Sequence, residues 1–380
     1  MRLLIVHNIA WSHYKAAVFN CIAQEMPPAM TDFRVVHLAL TSEQRKSLSS
    51  ADLGFHRYPY EILFNTSLNA VPTTKKALKL LKFLRDHPSD VVVLSGYDDA
   101  AYWAAMIYLK IFTRTKIAVT VDSTQHDNAR VFYKEFVKKV FLKCCDMVFC
   151  YGSAQIAYLK TLGVSDRKIR IRVQATDNQR IRKDFLIAVE ARNGAKRNNS
   201  FLYVGRLSGE KNLFLLLEAF TACQAKGWKL EIVGDGPSSD ALKKMVEDKK
   251  IADVHFTGPL AWHEISRIYA GAGVLVLPSL SEPWGLVVNE AMLCEMPVIV
   301  SNHCGAAPDL VKEGVNGFTF NPHDCASLQE KLQFFIDNPQ SIETFGKSSY
   351  HIIRDFTPEK AATQITSGFL ELTSQTVNAV

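Results

Sequence analysis

Phe201-Leu202-Tyr203-Val204-Gly205-Arg206-Leu207-Ser208-Gly209-Glu210-Lys211-Asn212 is followed by the apolar run Leu213–Leu217. Four apolar residues, a glycine turn and a polar stretch before a new apolar run read as a buried strand feeding a helix. The order recurs at Leu230–Val233, which runs into Gly234-Asp235-Gly236-Pro237. It recurs again at Val274–Leu277, which leads through Pro278-Ser279-Leu280-Ser281-Glu282-Pro283-Trp284-Gly285 into Leu286. Short, uninterrupted apolar strands that alternate with helices belong to parallel sheets covered on both faces.

The same alternation extends in both directions. Downstream, strands are expected at Val254–Phe256, Val298–Val300 and Gly317–Phe320, with helices over Asp240–Glu247, Glu264–Tyr269, Leu286–Cys294 and Ser327–Phe335. Upstream, Arg2–Val6, Arg34–Leu40, Val91–Leu94, Ile117–Val121, Met147–Cys150 and Ile169–Val173 read as strands, separated by helical stretches such as Lys75–Arg85 and Ala100–Lys110. Between the two series, Gln174–Asn199 is polar and charged and reads as the connection. The expectation is α/β: two Rossmann-like, doubly wound units in tandem, facing each other across a cleft. In such sheets ligands bind beyond the C-terminal strand ends.

Composition is that of a globular protein, 48% hydrophobic and 22% charged over 380 residues. No apolar run approaches the ~20 residues that span a bilayer, and the N-terminal run Leu3–Val6 is too short for a signal-peptide core. A cytoplasmic protein is expected, its eight cysteines being buried thiols with neither disulfides nor a metal site. Charge is divided unevenly. Residues 1–190 hold 27 Lys+Arg against 17 Asp+Glu, and the remainder hold 17 against 21. A basic first half suggests an anionic partner or a plain solvated surface.

The sharpest chemistry lies in the second half. Pro283 and Gly285 shape a turn that leaves N–H groups at the start of the Leu286 helix, a natural anion site. Glu282 and Glu290 bracket it, well suited to accept hydrogen bonds from hydroxyls flanking a phosphate. Gly205 lets a ligand approach the backbone, Arg206 can fork two phosphate oxygens, and Lys211 adds a mobile charge. Gly234 and Gly236 lack the third glycine of a dinucleotide fingerprint, since Ser239 stands in its place.

These residues, with Phe256-Thr257-Gly258 and Asn316-Gly317-Phe318 in the same order, resemble the retaining glycosyltransferases of family four (group 1), whose fold is the two-domain GT-B architecture. The resemblance is specific over residues 200–320 and architectural over residues 1–180. It implies an N-terminal acceptor-binding domain over 1–180, a nucleotide-sugar domain over 200–355, and a C-terminal segment over 356–380 whose helix packs back on the first domain. It implies that Arg206 and Lys211 hold the donor diphosphate and that Glu282 contacts the transferred sugar. Trp284, Gly285 and Leu286 would offer backbone N–H groups, Glu290 would bind the ribose, and Gly258, Pro259 and Leu260 would face the base. Gly205 and Gly234 complete the donor set. The family's glycine-rich loop after the first strand is here Asn8–Lys15, without glycine. Asp122 stands where many members place a histidine, so Asp122, His126 and Asp127 are all candidates for facing the reacting sugar. Asp309 replaces a usual glutamate.

No Asp-x-Asp pair suggests a metal, so metal-independent transfer is expected, with no cofactor beyond the nucleotide-diphosphate sugar itself. The acceptor, a glycan or lipid-linked intermediate of cell-surface glycolipid or polysaccharide synthesis, would enter near Ser12–Lys15, Gly96–Asp99 and Asp122–Asp127. Nucleic acid is not an expected partner. The Lys75–Arg85 helix sets Leu78, Leu80, Leu81, Phe83 and Leu84 against Lys75, Lys76, Lys79, Lys82 and Arg85. That pattern reads as a core helix with a wet basic face or, with Arg114 and Lys116, as a peripheral contact with the anionic inner face of a membrane. A non-catalytic nucleotide-sugar sensor and an NAD-dependent oxidoreductase remain as alternatives; the second would want a complete glycine fingerprint and gives Glu282 and Glu290 no task.

Overall fold

A computed structural model gives the fold and describes residues 1–43, 52–127, 132–225, 227–260 and 264–377. Two compact units emerge. The first takes Met1–Gln125, the described chain from 132 to 177, and the stretch from Phe356 onward; the second takes His126, Asp127 and Asn178–Asp355.

Among the described residues the first unit is built on a seven-stranded parallel sheet. Its strands are β1 (Arg2–Ile9), β2 (Asp32–Thr41), β3 (Tyr60–Ser67), β4 (Val91–Leu94), β5 (Lys116–Thr120), β6 (Met147–Cys150) and β7 (Ile169–Ile171). They lie in the order β3-β2-β1-β4-β5-β6-β7, every pair parallel. The helices following them are α1 (His13–Gln24), α2 (Thr73–Asp86), α3 (Ala100–Phe112), α4 (Phe132–Cys144) and α5 (Ser153–Thr161). β4 and β6 are buried along their whole length, because helices cover both faces of the sheet.

The second unit carries β8 (Ser200–Val204), β9 (Lys229–Val233), β10 (Val254–Gly258), β11 (Val274–Leu277), β12 (Val298–Ser301) and β13 (Gly317–Phe320). These parallel strands run in the order β10-β9-β8-β11-β12-β13. Around them lie α6 (Asn178–Ala191), α7 (Leu213–Ala222), α8 (Ser239–Asp248), α9 (Ile265–Gly271), α10 (Leu286–Leu293), α11 (Ala307–Leu310), α12 (Cys325–Asp337) and α13 (Ser341–Ile353).

The last helix, α14 (Pro358–Val377), belongs to the first unit. With α1 it covers one sheet face, burying Ile365, Phe369 and Leu372 beside Phe19 and Ile22. Each such side chain stabilises by roughly 2 kcal/mol. Gln364 accepts a hydrogen bond from the Val173 N–H at 2.7 Å, and Arg170 pairs with Glu371. The opposite face is covered by α2, α3, α4 and α5 through Leu80, Phe83, Tyr102, Leu109, Phe141 and Leu159.

Three local expectations change. The 174–199 segment, expected as a plain connection, contains α6; Ile181 and Phe185, four residues apart, are its buried face. β3 was not anticipated, since Glu61, Asn65 and Thr66 of this edge strand are polar and exposed. In α2 the residues at two positions exchange surroundings. Leu78 is exposed, whereas Lys76 is buried and paired with Asp99. Asp99 also caps α3 by accepting from the Ala101 N–H at 2.9 Å. All eight cysteines are free thiols, and burial pushes those of Cys21 and Cys223 up to about 11 and that of Cys145 up to about 12.

Candidate active site

In the second sheet β8 and β11 are neighbours, and the strand order reverses between them. Loops leaving two such strands part toward opposite faces and open a crevice at their ends. Sequence places Gly205–Asn212 after one strand and Pro278–Gly285 after the other. A Cβ on Gly234 would sit 1.9 Å from the Gly205 carbonyl oxygen, and one on Gly236 would sit 2.4 Å from that of Leu207. Those glycines let the turns after β8 and β9 press backbone against backbone, which accounts for them without a dinucleotide.

Charge concentrates at this point. Lys211 Nζ donates to Glu282 Oε2 at 2.6 Å, joining the two loops through side chains that are each less than one-fifth exposed. The Leu280 N–H, donating to the Glu210 carbonyl at 2.8 Å, ties the same loops through their backbones. Arg206 Nη2 and Ser208 Oγ both donate to Glu210 Oε1, at 2.6 and 2.7 Å. Partial burial pushes the Glu210 carboxyl up, but the hydrogen bonds from Ser208 and Arg206 outweigh it and hold the group at about 2.

The Glu282 loop is fixed from below. Its carbonyl accepts from the Gly305 N–H at 2.9 Å, and that of Trp284 accepts from the Ala306 N–H at 3.1 Å. Trp284 is buried, its indole N–H donating to Asn289 Oδ1 at 2.8 Å. Gly285 takes φ +91°, and a Cβ there would come within 2.9 Å of Cys304 Sγ and of the Leu277 side chain. Glycine therefore lets the chain turn sharply into α10, whose N-terminus has no side-chain cap. The first-turn N–H groups of such a helix suit an anion.

Glu290 lies on α10 and accepts from the Tyr269 hydroxyl at 2.9 Å. Desolvation pushes its carboxyl up to about 7, against the opposing pull of that hydrogen bond and of Arg180. At the end of β10, Gly258 takes φ +78° and its carbonyl accepts from the Gly234 N–H at 2.9 Å. Pro259 is exposed and Leu260 half-buried, and residues 261–263 lie outside the described residues.

His126 and Asp127 group with the second unit. The His126 ring stacks on His303, centroids 3.9 Å apart and planes inclined by 12°, and Ser281 Oγ donates to the Asp127 carbonyl at 3.2 Å. Asp122 belongs to the first unit, near the buried Tyr151. Sequence reading missed Glu210 as the partner of Arg206, Tyr269 and Arg180 beside Glu290, and His303. Only the Arg206–Glu210 spacing of four residues was a usable signal. Among the described residues, no group of three or more His, Cys, Asp or Glu could hold a metal ion.

The strand-switch residues fall inside a segment, 188–352, that matches the family model for glycosyl transferases group 1. This segment belongs to that family. Sulfoquinovosyl transferase SQD2 of Arabidopsis thaliana is 33% identical over 176 residues, covering 46% of this chain and 33% of that protein. Alpha-monoglucosyldiacylglycerol synthase of Acholeplasma laidlawii is 28% identical over 181 residues, covering 46% of this chain and 45% of that protein. The glycosyltransferase match thus spans less than half the length of either relative. Across 100% of both chains, the structure of Anabaena Alr3699/HepE in complex with UDP and glucose superposes with a TM-score of 0.71 at 19% identity. That likeness is one of fold, and the fold is GT-B.

Proposed function

We propose that this chain transfers a sugar from a nucleotide-diphosphate sugar to an acceptor hydroxyl, with retention of configuration and without a metal. The observation that carries the reading is the Lys211–Glu282 pair, set where the strand order reverses, beside Arg206 and the uncapped start of α10. Cations and helix N–H groups around one point suit a leaving diphosphate, where negative charge grows in the transition state. The bond from the anomeric carbon to the phosphate oxygen breaks, and its electron pair stays with the diphosphate. The acceptor oxygen bonds to the anomeric carbon from the same face, and its proton passes to the departing phosphate oxygen.

Glu282 accepts from hydroxyls of the transferred sugar and keeps Lys211 aimed at the phosphate. Glu290 accepts from the ribose, and Gly258–Leu260 border the base. Of the candidates beside the reacting sugar, His126 is favoured, since its stacking on His303 fixes its ring. A thermal-shift screen against UDP-, GDP-, ADP- and dTDP-sugars tests the donor assignment. Nucleotide release without acceptor separates an enzyme from a sensor that only binds. No stabilisation by any of the four would refute the reading.

We further propose a lipid-linked or glycan acceptor met at the anionic inner face of a membrane. Support comes from the outer faces of α3 and α4. Ile107, Ile111 and Phe112 on α3 and Tyr133, Phe136, Val137 and Val140 on α4 are exposed. Lys110, Lys134, Lys139 and Lys143 are exposed among them. Apolar side chains interleaved with lysines match the surface of anionic lipid. The α2 helix has a weaker claim, offering Leu78 as its one strongly exposed apolar residue. Among the described residues no helix is long and apolar enough to cross a membrane, and the name of the Acholeplasma relative refers to a diacylglycerol lipid.

A further inference from the structure

The first unit holds a cavity of about 280 Å³ at the C-terminal ends of its strands. Residues from after β1 (Ser12, Lys15), β5 (Asp122), β6 (Tyr151) and β7 (Arg172) line it. Two of these are cations removed from water: Lys15 is 6% exposed and Arg172 is 3% exposed. Lys15 Nζ donates to the Tyr151 hydroxyl at 2.6 Å and Arg172 Nη2 donates to the same oxygen at 3.2 Å. Both also sit over the Tyr151 ring, 4.8 and 5.0 Å from its centroid. Lys15 Nζ also reaches the Gln174 amide oxygen at 3.5 Å, and Asp122 stands within hydrogen-bond reach of the Tyr151 hydroxyl. Asp122 is the one carboxylate among the lining residues, so the lining carries a net positive charge.

Arg172 supplies a second, independent sign. Its Nε is buried and has no hydrogen-bond partner, although leaving a buried guanidinium donor unmet is costly. The field is felt by a neighbour as well. Burial, then the charge of His37, then those of Lys15 and Arg172, lower the affinity of His7 for a proton. The remaining lining mixes apolar side chains, Ile5, Val93 and Phe149, with polar ones, Asn8, Ser95 and Thr120.

We propose that this cavity is an oxyanion site that receives the acidic group, a carboxylate or a phosphate ester, of the sugar acceptor. Arg172 Nε and Lys15 Nζ donate to the oxyanion, and the Ser12 hydroxyl offers a third hydrogen bond. The acceptor part of this inference rests on the glycosyltransferase reading; the anion site itself does not. It names an acidic acceptor, because an oxyanion meets both the unpartnered Arg172 Nε donor and a lining with two cations against one carboxylate.

Isothermal titration calorimetry on the full chain tests it, with glycerol 3-phosphate, glucuronate and inorganic phosphate as probes. Each is titrated into the wild type and into the Arg206→Ala, Arg172→Gln and Arg172→Lys variants, and nucleotide-sugar affinity is measured on every sample. Glycerol 3-phosphate or glucuronate should bind the wild type and Arg206→Ala alike. Either should bind Arg172→Gln at least about tenfold more weakly, and which acid binds tells phosphate from carboxylate. Arg172→Lys keeps the charge but loses the Nε donor. It should fold if Arg172→Gln does not, and should show a weakened but measurable site. Absence of binding to a wild type that still takes nucleotide sugar would overturn the site and leave the donor assignment standing. Oxyanion binding lost in Arg206→Ala but kept in Arg172→Gln would overturn it too, placing the anion at the donor phosphates. Binding of inorganic phosphate with neither organic acid would make the cavity a simple ion site and overturn the acceptor role. Oxyanion binding dependent on Arg172 in a chain that takes no nucleotide sugar would support the site while removing the glycosyltransferase reading.

Discussion

If Glu290 meets the donor ribose as proposed, donor binding is a proton-linked event. Desolvation raises its carboxyl to about 7 from an ordinary 4.5, only partly opposed by Tyr269 and Arg180. A carboxyl raised by folding holds a proton that the unfolded chain gives up. Its contribution to stability is therefore full below pH 4.5 and is lost as the pH rises through about 7. Ligand binding works in the opposite direction. Two ribose hydroxyls need an acceptor for two protons, which the carboxylate is and the neutral acid is not. At about pH 6 only about one molecule in ten would carry the anion, so affinity should fall about tenfold from its plateau above about pH 8, or about 1.4 kcal/mol. Near about pH 5.5 the loss should reach about thirtyfold.

A nucleotide sugar is the right ligand for this measurement, because its diphosphate lacks the second phosphate ionisation near about pH 6. Calorimetric titration in two buffers of different ionisation enthalpy, across the same range, yields both affinity and protons released. The wild type should release close to one proton near about pH 6 and almost none above about pH 8. The Glu290→Gln variant keeps the shape of the side chain but cannot ionise, so its binding should be weaker and flat with pH. Flat wild-type affinity, or an undiminished slope in Glu290→Gln, would show that Glu290 does not meet the ribose as an anion.

Removing the guanidinium in Arg206→Ala should lower kcat at least tenfold, about 1.4 kcal/mol of transition-state stabilisation; near-normal turnover in the folded variant would end its assignment to the leaving group. Activity should survive excess EDTA, and a loss restored by Mg²⁺ or Mn²⁺ would refute the metal-free mechanism. The protein should sediment with anionic but not with neutral vesicles, less so in raised salt and in a Phe112→Ser, Phe136→Ser double variant. Equal, negligible sedimentation with both lipids would leave those helices as solvated surface.

What the sequence made legible follows from local physics. Strands buried on both faces must be apolar without interruption, so Val91–Leu94, Met147–Cys150 and Val274–Leu277 stand out and match the structure residue for residue. Gly285 was legible because a tight entry into a helix permits little else. Pairings across long separations were not. Nothing in the chain announces that Lys211 meets Glu282, 71 residues away, or that Tyr269 holds Glu290. The α2 pattern misled because helical periodicity assigns a face by side-chain type. A lysine will turn inward when a carboxylate waits there, as Asp99 does for Lys76. In α6 the charges hid the two apolar residues that matter.

The basic character of the first half is the clearest case in which composition asked a good question and could not divide the answer. Part of that charge is internal. Lys15 and Arg172 face a cavity, and Lys76 is neutralised by Asp99. The rest lies on helix surfaces, where Lys110, Lys134, Lys139 and Lys143 stand among exposed apolar side chains. These two populations obey different laws. Exposed charges act over a Debye length of about 8 Å in physiological salt, and each contributes about 1 kcal/mol toward anionic lipid. Their effect should vanish as ionic strength rises. Lys15 and Arg172, almost removed from water, are screened less, so their attraction for an oxyanion should outlast the same increase. On these two proposals, a single count of lysines and arginines divides into a salt-sensitive contact with a surface and a salt-resistant contact with one acidic group.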